Sequence, residues 1–393
     1  MIFIWRMSWI FFIFQSVLYC PNRLDSRTTS WYTNVIKIRK KRVFNGLRVL
    51  RAAIQQFFHH EGTHMKKSIL ILVCLAACIA VLTTSAGFAA EKETIGITKI
   101  VAHPALDAVE KGIMDELAAL GYDFNYDLQN ANGELSTAAS IANKFKSENV
   151  KMAIGITTPS SQALVNAIKD IPVIFTAVTD PVSAGIVPTL SKGDRNVCGV
   201  SDMTPVKEQI QYLNKLKKIT TLGHVYSSHE ENGVTLAKVA EQACKDLGIE
   251  FVATTISNSA EVKQAMQTII DRVDGIYLST DNTVFSALSA VIDVAMKAKK
   301  PIMSADPASA ETNPILAAWG FNYYKMGRAT GRLAAEVLKG KNPDEIPVRF
   351  MTDPSDVDLL LNMDVAEKLD IEVSEEAMEM ANKLIKNGKL IER

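Results

Sequence analysis

The sequence predicts an α/β fold of two similar lobes, each built on a doubly wound parallel sheet flanked by helices. Short apolar, β-rich runs alternate with stretches whose apolar residues recur at three- and four-residue spacing. The alternation pauses near residue 200 and then resumes, and each half ends its pattern with an Asp-Pro pair. Strand–helix alternation of this kind is typical of parallel sheets covered by helices on both faces.

The chain has 393 residues, which suits one large domain or two ordinary ones. Its formal net charge is zero, but the charges are unevenly spread. Residues 1–64 hold ten basic and two acidic side chains, whereas residues 68–393 hold 31 basic and 41 acidic ones. An acidic body of this size disfavours nucleic acid as a partner.

Residues 65–89 have the layout of a secretory signal peptide. Two lysines follow Met65, an apolar run covers residues 69–82, and small residues stand at Gly87 and Ala89. The run is short for a membrane span, which needs about 20 residues, although a stop-transfer anchor remains an alternative. We therefore expect cleavage after Ala89 and export to the periplasm.

Two further features of the front end allow other interpretations. The run Leu75-Ala76-Ala77-Cys78 is similar to a lipobox, so lipid anchoring through Cys78 is an alternative, but the residues after Cys78 stay apolar where a tether is normally polar. We interpret residues 1–64 as a non-native extension, with translation starting at Met65. A membrane anchor followed by the basic cluster at residues 37–42 is the alternative.

The pattern gives the following elements and boundaries. Strands are predicted at Thr94–Val101, Phe124–Asn130, Met152–Ile156, Val173–Val178, Val197–Val200, Thr221–Tyr226, Phe251–Ile256, Gly275–Leu278 and Ile302–Ser304. Helices are predicted at Ala105–Leu120, Leu135–Ser147, Ser160–Lys169, Val234–Leu247, Ala260–Arg272 and Val284–Lys299. Lobe 1 is assigned to residues 90–203 with a late return segment, lobe 2 to residues 204–320, and residues 321–393 to a crossover helix returning to lobe 1 and C-terminal helices.

Polar residues follow the strands at matching places in the two halves. In the first half Thr158-Pro159-Ser160-Ser161 opens a helix, whose free amides and hydroxyls suit a carboxylate. In the second half Asp281 and Asp306 follow strands and suit an ammonium group. Because ligands of open α/β sheets bind at the carboxyl ends of strands, the two sets together suit an amino acid. Helix capping and an Asp-Pro turn are the alternative explanations.

Nothing in the motif content favours catalysis. The part after residue 89 has three histidines, His103, His224 and His229, none at metal-ligand spacing, and it has no nucleophile-elbow, dinucleotide or P-loop motif. Cys198 and Cys244 are far apart and are expected to be buried thiols. We expect no enzyme activity, no metal and no cofactor. His103, in a loop after a strand, and Tyr226, as part of an aromatic wall, are further candidates for the ligand cleft.

The chain resembles the substrate-binding proteins of ABC importers, in the family whose characterised members bind aromatic or branched-chain amino acids. The resemblance covers about residues 94–371. The segments that carry it are His103-Pro104-Ala105-Leu106-Asp107, Asn130-Ala131-Asn132-Gly133, Thr158-Pro159-Ser160-Ser161-Gln162-Ala163, Phe175-Thr176-Ala177-Val178-Thr179-Asp180-Pro181-Val182, Gly199-Val200-Ser201-Asp202, Thr280-Asp281-Asn282-Thr283-Val284 and Gly320-Phe321-Asn322-Tyr323-Tyr324-Lys325-Met326-Gly327.

The resemblance implies two Rossmann-like lobes of the type I periplasmic-binding-protein architecture, joined by three crossovers and closing over one ligand. The ligand contacts that it implies are Ser160, Ser161, Thr179 and Asp180 in lobe 1, and Asp281, Asn282 and Asp306 in lobe 2. One segment departs from the family, which usually has Asn-Pro and then Glu-x-Asn-Ser after the sixth strand. Here the segment is Ser227-Ser228-His229-Glu230-Glu231-Asn232-Gly233, so the identity of the ligand cannot be transferred.

The expected function is capture of a small amino-acid-like solute and its delivery to a membrane permease and ATPase, by a protein that we expect to be a monomer. A lobe pair of this kind can also act as a sensor that signals to a membrane receptor. The sequence leaves open which solute is bound, and whether the protein serves transport or sensing.

Overall fold

A computed structural model of the chain describes residues 92–393. The interpretations of residues 1–64 as an extension, of residues 65–89 as a signal peptide and of Cys78 as a lipid anchor lie outside the described residues. The described part contains two sheets, one of six strands and one of eight. The predicted α/β fold with two sheet-based lobes is therefore confirmed.

The elements follow the predicted alternation. The strands are β1 Thr94–Lys99, β2 Asn125–Asn130, β3 Met152–Ile156, β4 Val173–Val178, β5 Val197–Ser201, β6 Thr221–Ser227, β7 Glu250–Ile256, β8 Gly275–Leu278, β9 Ile302–Ser304, β10 Ala317–Phe321, β11 Arg349–Phe350, β12 Val357–Asn362, β13 Lys383–Lys386 and β14 Lys389–Glu392. The helices are α1 Pro104–Ala119, α2 Leu135–Glu148, α3 Thr158–Ala167, α4 Val206–Leu216, α5 Glu231–Leu247, α6 Val262–Ile269, α7 Asn282–Ser286, α8 Leu288–Lys297, α9 Pro307–Ala310, α10 Tyr323–Leu338, α11 Met363–Lys368 and α12 Glu375–Met380. The helix predicted over residues 284–299 is interrupted at Ala287, where α7 ends and α8 begins.

Lobe 1 contains the six-stranded sheet, in the order β11-β5-β4-β3-β1-β2. All of its strand pairs are parallel. Every residue of β3, β4 and β5 is buried, which explains why these strands read as continuous apolar runs. The sheet therefore forms the centre of one continuous core, with helices packed on it.

Lobe 2 contains the eight-stranded sheet, in the order β14-β13-β12-β10-β9-β8-β6-β7. Its strands from β7 to β10 pair in parallel, whereas β10 pairs with β12 and β13 with β14 in antiparallel fashion. Two clusters of buried apolar side chains pack in this lobe. The lobe is thus a second doubly wound unit with a mixed edge.

The chain passes between the lobes three times within the described residues. The crossovers run from β5 to α4, from β10 to α10 and from β11 to β12. The description of residues 321–393 as a crossover helix and C-terminal helices missed four strands: β11 joins the sheet of lobe 1, and β12, β13 and β14 join that of lobe 2. Three of these strands have four residues or fewer, too short to give a clear period in the sequence.

The returning helix α10 packs on α1 at very close range. A Cβ atom added to Gly112 would lie 2.3 Å from the carbonyl oxygen of Tyr324, and one added to Gly327 would lie 2.2 Å from that of Val109. Only glycine fits at these two positions, because the clash would be with backbone. The salt bridge of Arg328 with the buried Glu116 also joins the two helices. The second crossover is thereby fixed to lobe 1.

Candidate functional site

A narrow cleft lies between the lobes, where the carboxyl ends of strands from both sheets meet. Lobe 1 contributes residues that follow β1, β3 and β5 and the end of β4; lobe 2 contributes residues that follow β8 and β9 and the first turn of α5. Its free space is about 20 Å³, close to what one water molecule needs. This is the place that the sequence predicted for a ligand, since open α/β sheets bind ligands outside the carboxyl ends of their strands.

Two residues of lobe 1 line the cleft with an unusual backbone conformation. Thr157, between β3 and α3, has φ 84° and ψ 162°, a region that is essentially restricted to glycine. Ala177 has φ 52° at an irregularity in the pairing of β4. Such conformations cost about 1–3 kcal/mol each and concentrate at ligand sites. The buried Thr157 Oγ1 also has no hydrogen-bond partner among the described residues.

The hydroxyls at the start of α3 are of two kinds, those that already form hydrogen bonds within the protein and those that do not. The hydroxyl of Ser161 donates to the carbonyl oxygens of Gly155 and Thr157, at 3.0 and 2.7 Å, so it serves the helix itself. The hydroxyls of Thr158 and Ser160 are buried and have no partner within residues 92–393. Thr157, which precedes α3, lines the cleft, and Ser160 lies in the first turn of that helix. Free donors remain here for a polar group of a ligand.

In lobe 2, Asp281 is 1 % exposed and caps the short helix α7. One carboxylate oxygen accepts from the Val284 amide at 3.0 Å and the other from the Ser227 amide at 2.6 Å. Burial raises the pKa of Asp281 to about 8, and the negative charge of Glu230 acts in the same direction. A positive charge in the cleft would remove this penalty, because it favours the ionised carboxylate.

Glu230 stabilises the segment that carries Asp281. Its carboxylate is 4 % exposed and accepts from the amide and hydroxyl of Thr283, at 2.8 and 2.6 Å, and from the side chain of Asn282. The side-chain amide of Asn232 donates to the Thr280 carbonyl at 2.8 Å. These bonds tie the start of α5 to the loop after β8, so Asp281 and Asn282 are held at the cleft.

Asp306, after β9, is the second carboxylate on this side of the cleft. It is 2 % exposed, and its oxygens accept from the Ala308 amide at 2.9 Å and the Ser309 hydroxyl at 2.5 Å. Capping was the alternative explanation for both aspartates, and both do cap helices. Since both also line the cleft, capping does not remove them from the candidate site.

A hydrogen-bonded group of three cleft residues lies beside the first two crossovers. Asp202, just after β5, accepts from the Tyr323 hydroxyl at 3.0 Å and from the Thr179 hydroxyl at 3.2 Å. All three side chains are buried and line the cleft. Burial raises the pKa of Asp202 to about 6, although both hydrogen bonds act in the opposite direction.

His103 and Phe285 close the cleft from opposite lobes. Their rings stack with centroids 5.9 Å apart and an interplanar angle of 24°. Burial lowers the pKa of His103, against the attraction of Asp306, so its ring is neutral at pH 7. Its Nδ1 has no hydrogen-bond partner in the described part of the chain.

The cleft is therefore rich in acidic groups. Three aspartates, Asp202, Asp281 and Asp306, line it, and the described lining includes no lysine or arginine. The neighbouring Lys99 is already paired with Asp107 at 2.6 Å and with Glu110 at 3.1 Å. A ligand with a positively charged group suits this arrangement.

Of the candidates named from the sequence, His103, Thr179, Asp281, Asn282 and Asp306 line the cleft. Ser160 and Ser161 lie one turn into α3. The remaining two, Asp180 and Tyr226, do not line the cleft.

Asp180 is turned away from the cleft and caps its own turn, accepting from the Val182 and Ser183 amides at 3.0 and 3.1 Å. Tyr226 stacks on the buried His224 with ring centroids 5.6 Å apart and is not part of the cleft lining. Tyr226 and His224 share one face of β6, because side chains alternate along a strand.

The sequence reasoning missed several cleft residues. Thr157 carries no local signal, because a threonine in the sequence does not indicate a backbone conformation that is essentially restricted to glycine. Asp202 was quoted only within a motif, although an acid directly after an apolar strand was a usable signal. Tyr323 was considered for an aromatic wall but was not among the named site residues. Phe285 looked like an ordinary helix residue. Glu230, which does not line the cleft but binds Asn282 and Thr283, belonged to a segment that departed from the family.

Other kinds of site receive no support from the described residues. Within residues 92–393, no cluster of three or more histidine, cysteine or acidic side chains could hold a metal ion. No helix in this range is long and apolar enough to cross a bilayer. Cys198 and Cys244 are both buried, and burial raises the pKa of each thiol to about 12.

Comparisons with known proteins agree with this geometry. The model of the ABC transporter substrate binding protein family matches residues 94–385. A protein of Clostridioides difficile strain R20291 named tyrosine-binding protein is 37% identical over 287 residues, which make up 72% of this chain and 82% of that protein.

Solved structures give the same result. A domain from Vibrio cholerae is 36% identical with a TM-score of 0.72, covering 75% of this chain and 100% of that one. A Streptococcus pneumoniae structure in complex with L-Trp is 31% identical with a TM-score of 0.72 and the same coverage. A ligand-free, open substrate-binding protein from Clostridium difficile is 35% identical with a TM-score of 0.56, covering 72% of this chain and 96% of that one.

These relatives are solute-binding proteins and not enzymes, in line with the prediction from the motif content. The family match covers the whole six-stranded sheet, the eight-stranded sheet except β14 and the last residue of β13, and every residue that lines the cleft. The chain belongs to the ABC transporter substrate-binding protein family.

Proposed function

We propose that the protein works outside the cytoplasmic membrane, where it holds an amino acid between its two lobes and delivers it to the permease and ATPase of an ABC importer. Family membership supports the transport role. The predicted signal peptide at residues 65–89 supports the location. Lipid anchoring through Cys78 is the alternative, and it would also place the protein outside the cytoplasmic membrane.

The observation that carries the amino-acid assignment is the composition of the cleft. Three buried aspartates without a lysine or arginine among the described lining suit an ammonium group. On the lobe 1 side, the buried Thr157 hydroxyl lines the cleft without a partner within residues 92–393, which suits a carboxylate, and Ser160, in the first turn of α3, has a second unpartnered hydroxyl. A zwitterion would satisfy both sides at once, and buried polar groups left unpaired are costly.

A ligand that contacts both lobes binds the closed arrangement more tightly than the open one. This difference in affinity shifts the equilibrium toward the closed arrangement. The TM-scores support a closed arrangement here: 0.72 against the relative that holds L-Trp and 0.56 against the open, ligand-free relative, at similar identity. His103 and Phe285 stack across the cleft in this arrangement, so they must separate to admit a ligand.

The names of the relatives point to aromatic amino acids as the first ligands to test. One is called a tyrosine-binding protein and another was solved with L-Trp. Phe285 and Tyr323 supply aromatic surface at the cleft, which suits a large side chain. We therefore place tyrosine, tryptophan and phenylalanine ahead of branched-chain amino acids.

The direct test is to denature protein purified from its native host and identify the released small molecules by mass spectrometry. Calorimetric titration of ligand-free protein with the twenty amino acids follows. We expect one or a few amino acids to bind with a stoichiometry of one. Absence of binding by every amino acid would refute the proposal.

Location and transport need separate measurements. The intact mass of the mature protein distinguishes an N-terminus at residue 90 from a lipidated Cys78. Uptake of the labelled ligand should fall when the gene is deleted and return when it is restored. Unchanged uptake would favour a sensor over an importer.

A further inference from the structure

One edge of the lobe 1 sheet is open. The strand β2 is the last of the six, and no strand lies on its other side within residues 92–393. Its register with β1 is continuous over all six residues, without a bulge. The strand contains no proline, lysine or arginine. Natural edge strands usually carry one of these protections against pairing with another chain, and β2 carries none of them.

The other sheet edges of the described part are formed by β11, β14 and β7. The strand β11 has two residues only, and two of the four residues of β14 are charged, Lys389 and Glu392. None of the large apolar side chains of β7 is exposed, whereas Leu128 of β2 is 43 % exposed. Of these edges, β2 is therefore the one suited to pair with another strand.

The backbone groups at the even positions of β2 point away from its own sheet. The amides of Asn125 and Ala131 donate toward β1, at 3.1 and 3.0 Å. Because successive amides of a strand point to opposite sides, those of residues 126, 128 and 130 face outward. An edge of this kind can bind an added strand through backbone hydrogen bonds.

An antiparallel copy of β2 is complementary to β2 itself. The register that pairs all the outward positions has Leu128 opposite Leu128 of the second copy, on a two-fold axis. The same register places Asp127 opposite Gln129 of the second copy. Within one copy, Gln129 donates to Asp127 at 2.5 Å, and Asp127 is also paired with Lys144 at 2.6 Å. The contact therefore brings in no unpaired charge and sets an amide donor against a carboxylate.

Further exposed leucines lie at the two ends of β2. Leu120, at the end of α1, precedes the strand and is 45 % exposed. Leu135, at the start of α2, follows it and is 48 % exposed. In a two-fold antiparallel pair the start of each strand lies beside the end of the other. The contact thus brings together apolar surface that a single copy leaves in water.

We propose that two copies of the protein associate through β2, as an antiparallel strand pair that joins the six-stranded sheets of their first lobes. A dimer of this kind differs from the monomer expected from the sequence. Every residue of the contact belongs to lobe 1, so lobe 2 of each copy stays free to move. The inference goes beyond the proposed function and does not depend on which solute the cleft holds.

Sedimentation velocity of the protein purified from its native host, at roughly 1 to 100 μM, measures the association. We expect an equilibrium of monomer and dimer in the wild type. Leu128→Lys should raise the dissociation constant at least about tenfold, because like charges would face each other across the axis. Leu390→Lys is the matched control, since Leu390 is 42 % exposed on the edge strand of the other sheet, and it should leave the association unchanged.

Cross-linking tests the register and does not depend on the folding of Leu128→Lys. Cys198 and Cys244 are buried, so they do not compete with a new thiol on β2. Opposite residues that exchange hydrogen bonds in an antiparallel pair have Cα atoms about 5.5 Å apart, which a disulfide can span. Mild oxidation of Leu128→Cys should give a covalent dimer. Asp123→Cys, at an exposed position just before the strand, should give little.

Three results would overturn the inference. The first is a wild-type protein that stays monomeric at every concentration; protection of the β2 amides from hydrogen exchange in that monomer would show that another segment of the same chain covers the edge. The second is a dimer that Leu128→Lys leaves intact. The third is equal cross-linking of Leu128→Cys and Asp123→Cys. None of these results bears on ligand binding, so the proposed function is tested separately.

Discussion

The Tyr323 hydroxyl donates a hydrogen bond of 3.0 Å to the carboxylate of Asp202, and this bond joins two of the three connections between the lobes. Asp202 lies on the first crossover and Tyr323 at the start of the helix that follows the second. The backbone amide of Asn322 donates to the backbone carbonyl of Asp356 at 2.8 Å, and this bond joins the second crossover to the third. The hinge is thus one hydrogen-bonded unit, and Asp202 and Tyr323 also line the cleft.

Tyr323→Phe should shift the protein toward the open arrangement. The substitution leaves the buried Asp202 with Thr179 as its remaining side-chain donor. The loss of one hydrogen bond to a buried carboxylate destabilises the closed arrangement by about 1–3 kcal/mol. We expect ligand affinity to fall by roughly tenfold or more. Calorimetry gives the affinity, and small-angle X-ray scattering without ligand gives the change in radius of gyration.

Tyr324→Phe is the matched control for this experiment. The Tyr324 hydroxyl donates to Asp115 at 2.8 Å on the outer surface of the α1–α10 pair, away from the cleft. Its affinity should equal that of the wild type. Equal affinity of both variants would show that the bond between Tyr323 and Asp202 does not contribute to closure.

Asp306→Asn should weaken binding without unfolding the protein. Asparagine keeps an oxygen for the Ala308 amide, so the helix cap survives, but the charge that faces the ligand ammonium is lost. We expect at least a tenfold loss of affinity by calorimetry and little change in thermal unfolding.

Asp293→Asn serves as its control, because Asp293 pairs with Lys297 on the surface of α8. Full-strength binding by Asp306→Asn would remove Asp306 from the ammonium site.

Ligand binding should release protons near pH 7. Burial raises the pKa of Asp281 to about 8, so this carboxyl is largely protonated in the ligand-free protein, and a cation in the cleft favours its ionised form. Affinity should therefore increase as the pH rises from about 6 to 8. Calorimetry in phosphate and in Tris at pH 7 should give enthalpies that differ by the heat of buffer protonation, and identical enthalpies would contradict the prediction.

The same shift predicts the pH dependence of stability without ligand. An unfolded Asp has a pKa of about 3.9, so between about pH 4 and 8 the folded state binds more protons than the unfolded one. The Asp281 contribution to stability is present below pH 4 and is lost as the pH rises through 8. Urea unfolding at several pH values measures this slope, and Asp281→Asn should flatten it.

Gly233→Ala should displace the Asp281 carboxylate. A Cβ atom at Gly233 would lie 2.5 Å from Asp281 Oδ2, which itself accepts from the Ser227 amide. Overpacking of this kind costs about 1–3 kcal/mol, which exceeds the gain of about 1 kcal/mol from replacing a helical glycine. We expect lower thermal stability together with weaker ligand binding.

Lys238→Ala, at an exposed position of the same helix, should change neither quantity. Unchanged ligand affinity in Gly233→Ala would show that the position of Asp281 is not set by Gly233.

Periodicity and turn signals predicted the strands from β1 to β9, and the signal was plainest in β3, β4 and β5, which are wholly buried and largely apolar. They did not predict β10 to β14. Lys383–Lys386 and Lys389–Glu392 pair as a short hairpin at the sheet edge, with all four residues of β14 exposed. Such strands are defined by pairing with a distant partner and give almost no local signal.

For the candidate site, the position of Asp281 and Asp306 after strands predicted that they lie at the cleft, and both line it, because polar residues after parallel strands share one edge of a sheet. The same reasoning included Asp180, whose carboxylate turned out to bind the two amides of its own turn. Both situations have the same local sequence, Asp followed by Pro at Asp180 and at Asp306, so no local rule separates them.

Composition and short-range spacing were enough to establish the alternation of strands and helices up to β9, the division into two lobes and the acidic character of residues 68–393. Only the tertiary structure decided that Asp202 and Tyr323, 121 positions apart, share a hydrogen bond at the hinge, and that His103 meets Phe285 across the cleft. These contacts join residues that are far apart in the sequence and meet only when the three crossovers bring the two sheets together. The preferences of neighbouring residues therefore cannot predict them.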